Sequence, residues 1–293
     1  MNLVIMLALK TQPDIRNIVY STRGRTHGPI TRLVSPSDLG EVMKPFVFLD
    51  LARFDSKAAP MRMEEFWHPH SGIATVTVVL DGAIRIADTT GADVVLPAGG
   101  IEWMRAGKGV WHTGQVEPGG ARAFQLWVAL PPELEMAPSD SLYVQPSGVP
   151  VVGPVRVILG SYGGAKSPID APPMTYLQVN LGPGEAWRYE PARGHEVAWI
   201  AVADGALHTP ARVPAGEVAV FELSESAIDF VAEGTTRFVI GSAARHPHEL
   251  FLGNYSVHTS ARTLREGETE IVRIGRELKA NGTLRYARPA VAL

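Results

Sequence analysis

Thr75-Val76-Thr77-Val78-Val79-Leu80-Asp81-Gly82-Ala83 is the stretch on which the fold turns, because the chain presents the same pattern again as Ala198-Trp199-Ile200-Ala201-Val202-Ala203-Asp204-Gly205-Ala206. Each run is apolar and reads as a strand ended by Asp-Gly, a hairpin dipeptide. Downstream of the first, Pro97-Ala98-Gly99 precedes Ile101-Glu102-Trp103-Met104; downstream of the second, Pro214-Ala215-Gly216 precedes Val218-Ala219-Val220-Phe221. Two turn motifs in the same order, with apolar runs in the same places, indicate a duplicated β unit.

The remaining signals agree. Ala83-Ile84-Arg85-Ile86-Ala87 reads as a further strand, and Thr90-Gly91 turns the chain into Val94-Val95-Leu96. Phe124-Gln125-Leu126-Trp127-Val128-Ala129-Leu130 is a strand stopped by Pro131-Pro132. The stretch from Pro131 to Pro154, rich in Pro, Ser and Gly, reads as a connection. One helix is expected, around Ala261 to Lys279, where Ile271, Ile274 and Leu278 fall at helical spacing and Asn281-Gly282 supplies a stop. The expectation is an all-β chain of two tandem antiparallel barrels or sandwiches, residues 1–140 and 141–293, with a short C-terminal helix.

Composition bounds the function. The 293 residues are 45% apolar and 19% charged, a globular balance. Net charge is −3 with no strongly basic patch, which argues against direct nucleic-acid binding. Without cysteine there are no disulfides, thiolate metal sites or thiol catalysis. No run reaches bilayer-spanning length. Val4-Ile5-Met6-Leu7-Ala8-Leu9 reads as a strand or ordering arm rather than a signal peptide. The expected location is the cytoplasm.

His68-Pro69-His70 carries the chemistry. Residues i and i+2 of a strand share a face, so the two imidazoles converge. His112, in Gly107-Lys108-Gly109-Val110-Trp111-His112, can face that pair from a returning strand. Three neutral imidazoles suit divalent iron, copper, nickel or zinc and leave positions open for water, substrate or dioxygen. Histidines that merely stack at a barrel mouth are the competing reading.

These residues also carry a resemblance. His68-Pro69-His70-Ser71-Gly72 with Thr75-Val76-Thr77 and Asp81-Gly82 is similar to the signature strand of the pirin family, and so is the segment from Ile101 to His112. Phe46-Val47-Phe48-Leu49-Asp50, Gln125 to Pro131, Met136-Ala137-Pro138 and Leu252-Gly253-Asn254-Tyr255 extend the likeness. The resemblance implies a bicupin, two cupin barrels in tandem, with a divalent metal in the N-terminal one. Iron is the first expectation, with copper, nickel, zinc or manganese as alternatives. It implies His68, His70 and His112 as ligands. It also implies a quercetin 2,3-dioxygenase-like oxidoreductase acting on a flavonoid-like or other small molecule, or else a non-catalytic regulatory module that binds a ligand or protein partner.

Two family residues are missing. The glutamate two residues beyond the last histidine is Gly114 here, and an acidic residue four beyond the His-Pro-His motif is Ala74. Read as losses from one pocket, they imply weak or absent metal and favour the non-catalytic alternative. Gln115 and Glu117 have the wrong strand parity to replace them unless a bulge intervenes. His246-Pro247-His248 reads as a loop or interface, His195 as a surface or cleft residue, and Trp127, Trp187 and Trp199 as core or mouth residues. Arg23, Arg25 and His27 read as a solvated arm.

Overall fold

The computed structural model describes residues 15–55 and 67–284; Val4 to Leu9 lie outside them. The fold is a bicupin built of antiparallel strands. One nine-stranded sheet includes Ile30–Val34, Phe46–Phe54, Ile73–Asp88, Ile101–Arg105, Val110–Ala129 and Asp140–Val144. A seven-stranded sheet includes Val155–Leu159, Met174–Leu181, Val197–Asp204, Val218–Phe221 and Thr236–Ala243. Strand Ile18–Thr22 adds to the edge of this second sheet beside Val218–Phe221, so the chain start is built into the later barrel. A four-stranded sheet, Ala186–Tyr189, Ala206–Thr209, Ala211–Pro214 and Ile228–Ala232, faces it.

The duplication is visible bond by bond. Gly82 has φ +69° and Gly205 +72°; Gly99 has +84° and Gly216 +81°. In the first unit the Ala98 N–H donates to Gly82 O and the Gly99 N–H to Val79 O, each at 2.8 Å. In the second, Ala215 donates to Gly205 O at 2.9 Å and Gly216 to Val202 O at 2.8 Å. The Asp-Gly pair, however, is not a hairpin. Ile73–Asp88 runs through it as one strand, with register shifts on either side of Asp81-Gly82. A Cβ at Gly82 would sit 2.0 Å from Gly120 O, so the left-handed glycine makes a bulge that bends two paired strands together. An Asp-Gly pair serves a bulge as readily as a turn, and the pairing partner decides which forms.

The aspartates of the two motifs meet across the barrels. Arg122 binds Asp204 with two hydrogen bonds of 2.6 Å and Asp81 at 2.7 Å. Arg237 binds Asp81 and Asp204 at 2.9 Å and donates to Leu80 O at 2.8 Å. Beneath this ring of alternating charge lies the main core. Phe46, Leu49, Val76, Val78, Trp103, Phe124 and Leu126 of the first sheet pack with Tyr176, Trp199, Ala201 and Val239 of the second. A separate core of Leu177, Trp187, Ile200, Phe221, Phe230 and Phe238 fills the second barrel.

The helix spans Ala261–Ala280, capped by Ser260, whose hydroxyl accepts from Thr263 N at 3.1 Å. It docks on the first barrel through small residues. Gly275 lies against the Trp111 ring, and the Trp111 Nε1–H donates to Ile271 O at 2.7 Å. Two smaller expectations also find their places. The arm bearing Arg23, Arg25 and His27 is exposed, whereas Trp199 is fully buried in the main core.

Candidate metal centre

His68 and His70 lie on a short strand, His68–His70, that pairs with Val110–Ala129 so that His68 stands directly opposite His112. Partners in register share a face, and i,i+2 parity puts His70 on it too. The three imidazoles accordingly converge. Nε2 of His112 is 2.8 Å from Nε2 of His68 and 3.1 Å from Nε2 of His70. Among the described residues these three form a group with metal-ligand spacing.

The surrounding acceptors fix what those nitrogens carry. The Tyr255 carbonyl lies 3.3 Å from His70 Nδ1 and can only accept, so the proton is on Nδ1 and Nε2 keeps its lone pair. Glu102 Oε1 lies 3.6 Å from His112 Nδ1 and favours the same tautomer. Nε2 of His70 and of His112 therefore point lone pairs at each other across 3.1 Å, a repulsive arrangement that a cation relieves. Protonation is the costlier way out, because burial, and then the neighbouring His112 and His68, hold His70 well below the ordinary histidine range. Separations of 2.8 and 3.1 Å are also what two metal–nitrogen bonds of about 2.1 Å give when they meet near a right angle. The donor set fits a divalent ion.

Around the histidines the barrel wall is organised in rows. Register places Arg32, Asp50, Gln125, Thr77, Glu102 and Tyr143 side by side across six strands. Arg32 grips Asp50 at 2.5 and 3.2 Å, while burial pushes the Asp50 carboxyl up against the pull of that arginine. The next row carries Phe48 and Trp127, stacked with centroids 4.0 Å apart and planes 7° from parallel. Trp127 meets His70 edge-on at 4.9 Å, and Arg32 lies over Phe48 at 4.0 Å. The ligand face is thus an aromatic wall with a charged pair at its far side.

The chain's C-terminal part closes the other side. Tyr255 holds φ +65°, unusual for a residue with a side chain, and its ring lies 5.7 and 5.9 Å from His68 and His70. Next to it a buried relay runs from Ser256 to Ser71 (2.9 Å), to His258 Nε2 (3.0 Å) and on to Glu135, 3.5 Å from His258 Nδ1. No residue pattern assigns a role to Tyr255, Glu135, Arg32 or Glu102. A carboxylate in the apolar run Ile101-Glu102-Trp103-Met104 was the one available signal, since a fully buried acid is rare without a partner.

Several expectations are resettled. Ala74 is not in the pocket: it packs in the main core with Val76 and Val78, on the face opposite Thr75 and Thr77. Gly72, at φ +75°, breaks the parity count from His70, and position 74 lands on the far side. Gly114 does lie on the ligand strand two residues past His112, opposite Ile86. Glu117 is not among the converging groups. His246 is buried at a contact with Leu130 O, 3.4 Å away, and His248 O accepts from Lys44 Nζ at 2.8 Å. His195 is buried rather than at the surface, 3.1 Å from Ser242 Oγ, and Trp187 lies in the second core.

Comparison with known proteins follows the same line. The Pirin family model matches residues 29–128. A Pirin-like protein of Caulobacter vibrioides is 30% identical over 226 residues, 71% of this chain and 76% of the relative. The chain belongs to the pirin family. A Pseudomonas aeruginosa relative of this pirin, provisionally named quercetin 2,3-dioxygenase, is 27% identical over 226 residues, 72% of this chain and 79% of that protein. Among solved structures, a quercetin 2,3-dioxygenase from Acinetobacter baumannii superposes with TM-score 0.81 at 23% identity, covering 89% of this chain and 98% of that one. A bacterial pirin from Escherichia coli in complex with nickel(II) gives TM-score 0.59 at 18% identity, covering 79% and 96%. These last two likenesses concern the fold. No described helix is long and apolar enough to cross a membrane.

Proposed function

We propose that this pirin holds one divalent metal ion on His68, His70 and His112 and acts on a flavonoid-like phenol or enol, as a quercetin 2,3-dioxygenase-like oxidoreductase. The observation that carries the reading is the convergence of the Nε2 atoms of His68 and His70 on that of His112, at 2.8 and 3.1 Å, with Tyr255 O and Glu102 behind the Nδ1 atoms of His70 and His112. Iron is the first candidate; nickel gains weight from the complex of the Escherichia coli relative. When bound, the ion supplies a Lewis acid and a template that brings a chelating oxygen and dioxygen together.

The chain's own residues supply the setting. Trp127 and Phe48, stacked on each other beside His70, give the site an apolar aromatic flank suited to a ring-bearing substrate. Tyr255, in the turn between strands Phe251–Leu252 and Val257–His258, covers the histidine side, and its carbonyl holds the proton on His70 Nδ1. Arg32 and Asp50 place a charged pair where polar substituents of a ring would emerge. The non-catalytic reading rested on two missing acids in one pocket, and Ala74 faces the core instead.

We further propose that residues 1–140 and 141–293 are the two structural units, with the first strand and the last helix exchanged between them, and that the protein works in the cytoplasm. The test of function is oxygen uptake with quercetin by the iron- or nickel-loaded protein, with His112→Ala as the inactive control. Metal-dependent uptake lost in that variant supports the reading. A loaded protein that consumes no oxygen with any flavonol returns it to the ligand-binding alternative.

A further inference from the structure

We propose that Glu102 supplies, from behind His112, the negative charge that the glycine at position 114 cannot, so that this pirin completes its metal centre through a carboxylate–histidine pair rather than a carboxylate ligand. The inference rests on the three-histidine reading and concerns how that site is balanced.

The geometry is specific. Glu102 is 1% exposed and His112 4%, so neither is solvated. Glu102 Oε2 accepts from the Thr77 hydroxyl, its neighbour in register, which points the other oxygen at the imidazole. Oε1 and His112 Nδ1 are both buried and have no other hydrogen-bond partner; they lie 3.6 Å apart. A carboxylate buried with one oxygen unpaired is expensive, and so is an unpaired ring nitrogen. Each is the group the other needs. The alternative acid does not serve, although Asp88 stands directly opposite His112. Its Oδ1 accepts from Thr90 and its Oδ2 from the Tyr143 hydroxyl at 2.7 Å.

Three effects follow. The Nδ1 proton is fixed, so Nε2 always offers its lone pair. The ring is oriented toward the common point. The carboxylate behind the ring raises the basicity of the imidazole, and so its donation to the ion, as acids behind metal-bound histidines do. Gly114 then costs the site a ligand atom but not its counter-charge.

The test is calorimetric titration of the metal-free protein with nickel(II), together with ¹⁵N-histidine NMR. Wild type is expected to bind one ion. Glu102→Gln, which keeps shape and an acceptor but loses the charge, should bind roughly 10–100-fold more weakly, and Glu102→Gln with Gly114→Glu should regain the loss. Wild-type spectra should show His112 protonated at Nδ1, a reading independent of whether any variant folds. Equal affinity of wild type and Glu102→Gln, or His112 protonated at Nε2, overturns the proposal and leaves the histidine site standing. A wild type that binds no ion overturns both.

Discussion

Gly114→Glu is the perturbation with the clearest expected gain. A Cβ at Gly114 would meet Ile84 Cγ2 at 3.7 Å and Arg85 O at 4.0 Å, ordinary contacts, and the residue is not among the positive-φ glycines. The substitution is therefore neither strained nor crowded, and apparent stability should stay within about 0.5 kcal/mol of wild type. Two strand residues span roughly 7 Å, which a glutamate and an imidazole leaning together can cover. A carboxylate brought to the ion should be worth at least as much as an outer partner, about 10-fold in affinity or roughly 1.4 kcal/mol. Because Glu102 already provides charge at this site, the gain should be smaller in wild type than in the Glu102→Gln background, and the cycle of four titrations with nickel(II) measures that coupling. An unchanged affinity at unchanged melting temperature, in both backgrounds, would show that position 114 does not address the metal and refute the reasoning.

Other expectations follow from the same structure. Gly82→Ala meets Gly120 O at 2.0 Å on top of left-handed strain, whereas Gly216→Ala meets nothing within 4 Å; urea denaturation should show a loss above about 3 kcal/mol for the first and about 1–2 kcal/mol for the second. Asp204→Asn removes the charge and turns one of the two oxygens that accept from Arg122 into an amide nitrogen, but at a site whose side chain is 38% exposed, so the cost should be only about 1 kcal/mol and should shrink in high salt. Burial lowers His70, His195, His246 and His258 below the ordinary value. The unfolded chain therefore binds more protons below about pH 6.5, and the melting temperature of the metal-free protein should fall as pH drops through that point. A flat profile from pH 7 to 5 would contradict it.

How far the residues alone could reach is clearest at the pocket. His68-Pro69-His70 was legible because strand parity is a local rule, His112 through the family resemblance, and the repeat because its Asp-Gly-Ala and Pro-Ala-Gly motifs recur in the same order. Ala74 was misplaced because one left-handed glycine, Gly72, resets parity between the histidines and the next strand. Asp81-Gly82 was read as a turn because only the pairing strand, bent at Gly120, reveals a bulge. The roles of Glu102 and Tyr255 are not legible for a different reason. Their distance from His112 and His70 is set by cross-strand register and by a hairpin 185 residues away, and no periodicity in the chain encodes either.

The most direct measurement of the central claim is an anomalous difference map, collected at the nickel edge, from crystals of this pirin grown with nickel(II). The account predicts one strong peak about 2.1 Å from Nε2 of His68, His70 and His112 together, with Glu102 Oε1 drawn to hydrogen-bond distance of His112 Nδ1. A peak on His246 and His248 instead, or none inside the first barrel, would contradict it.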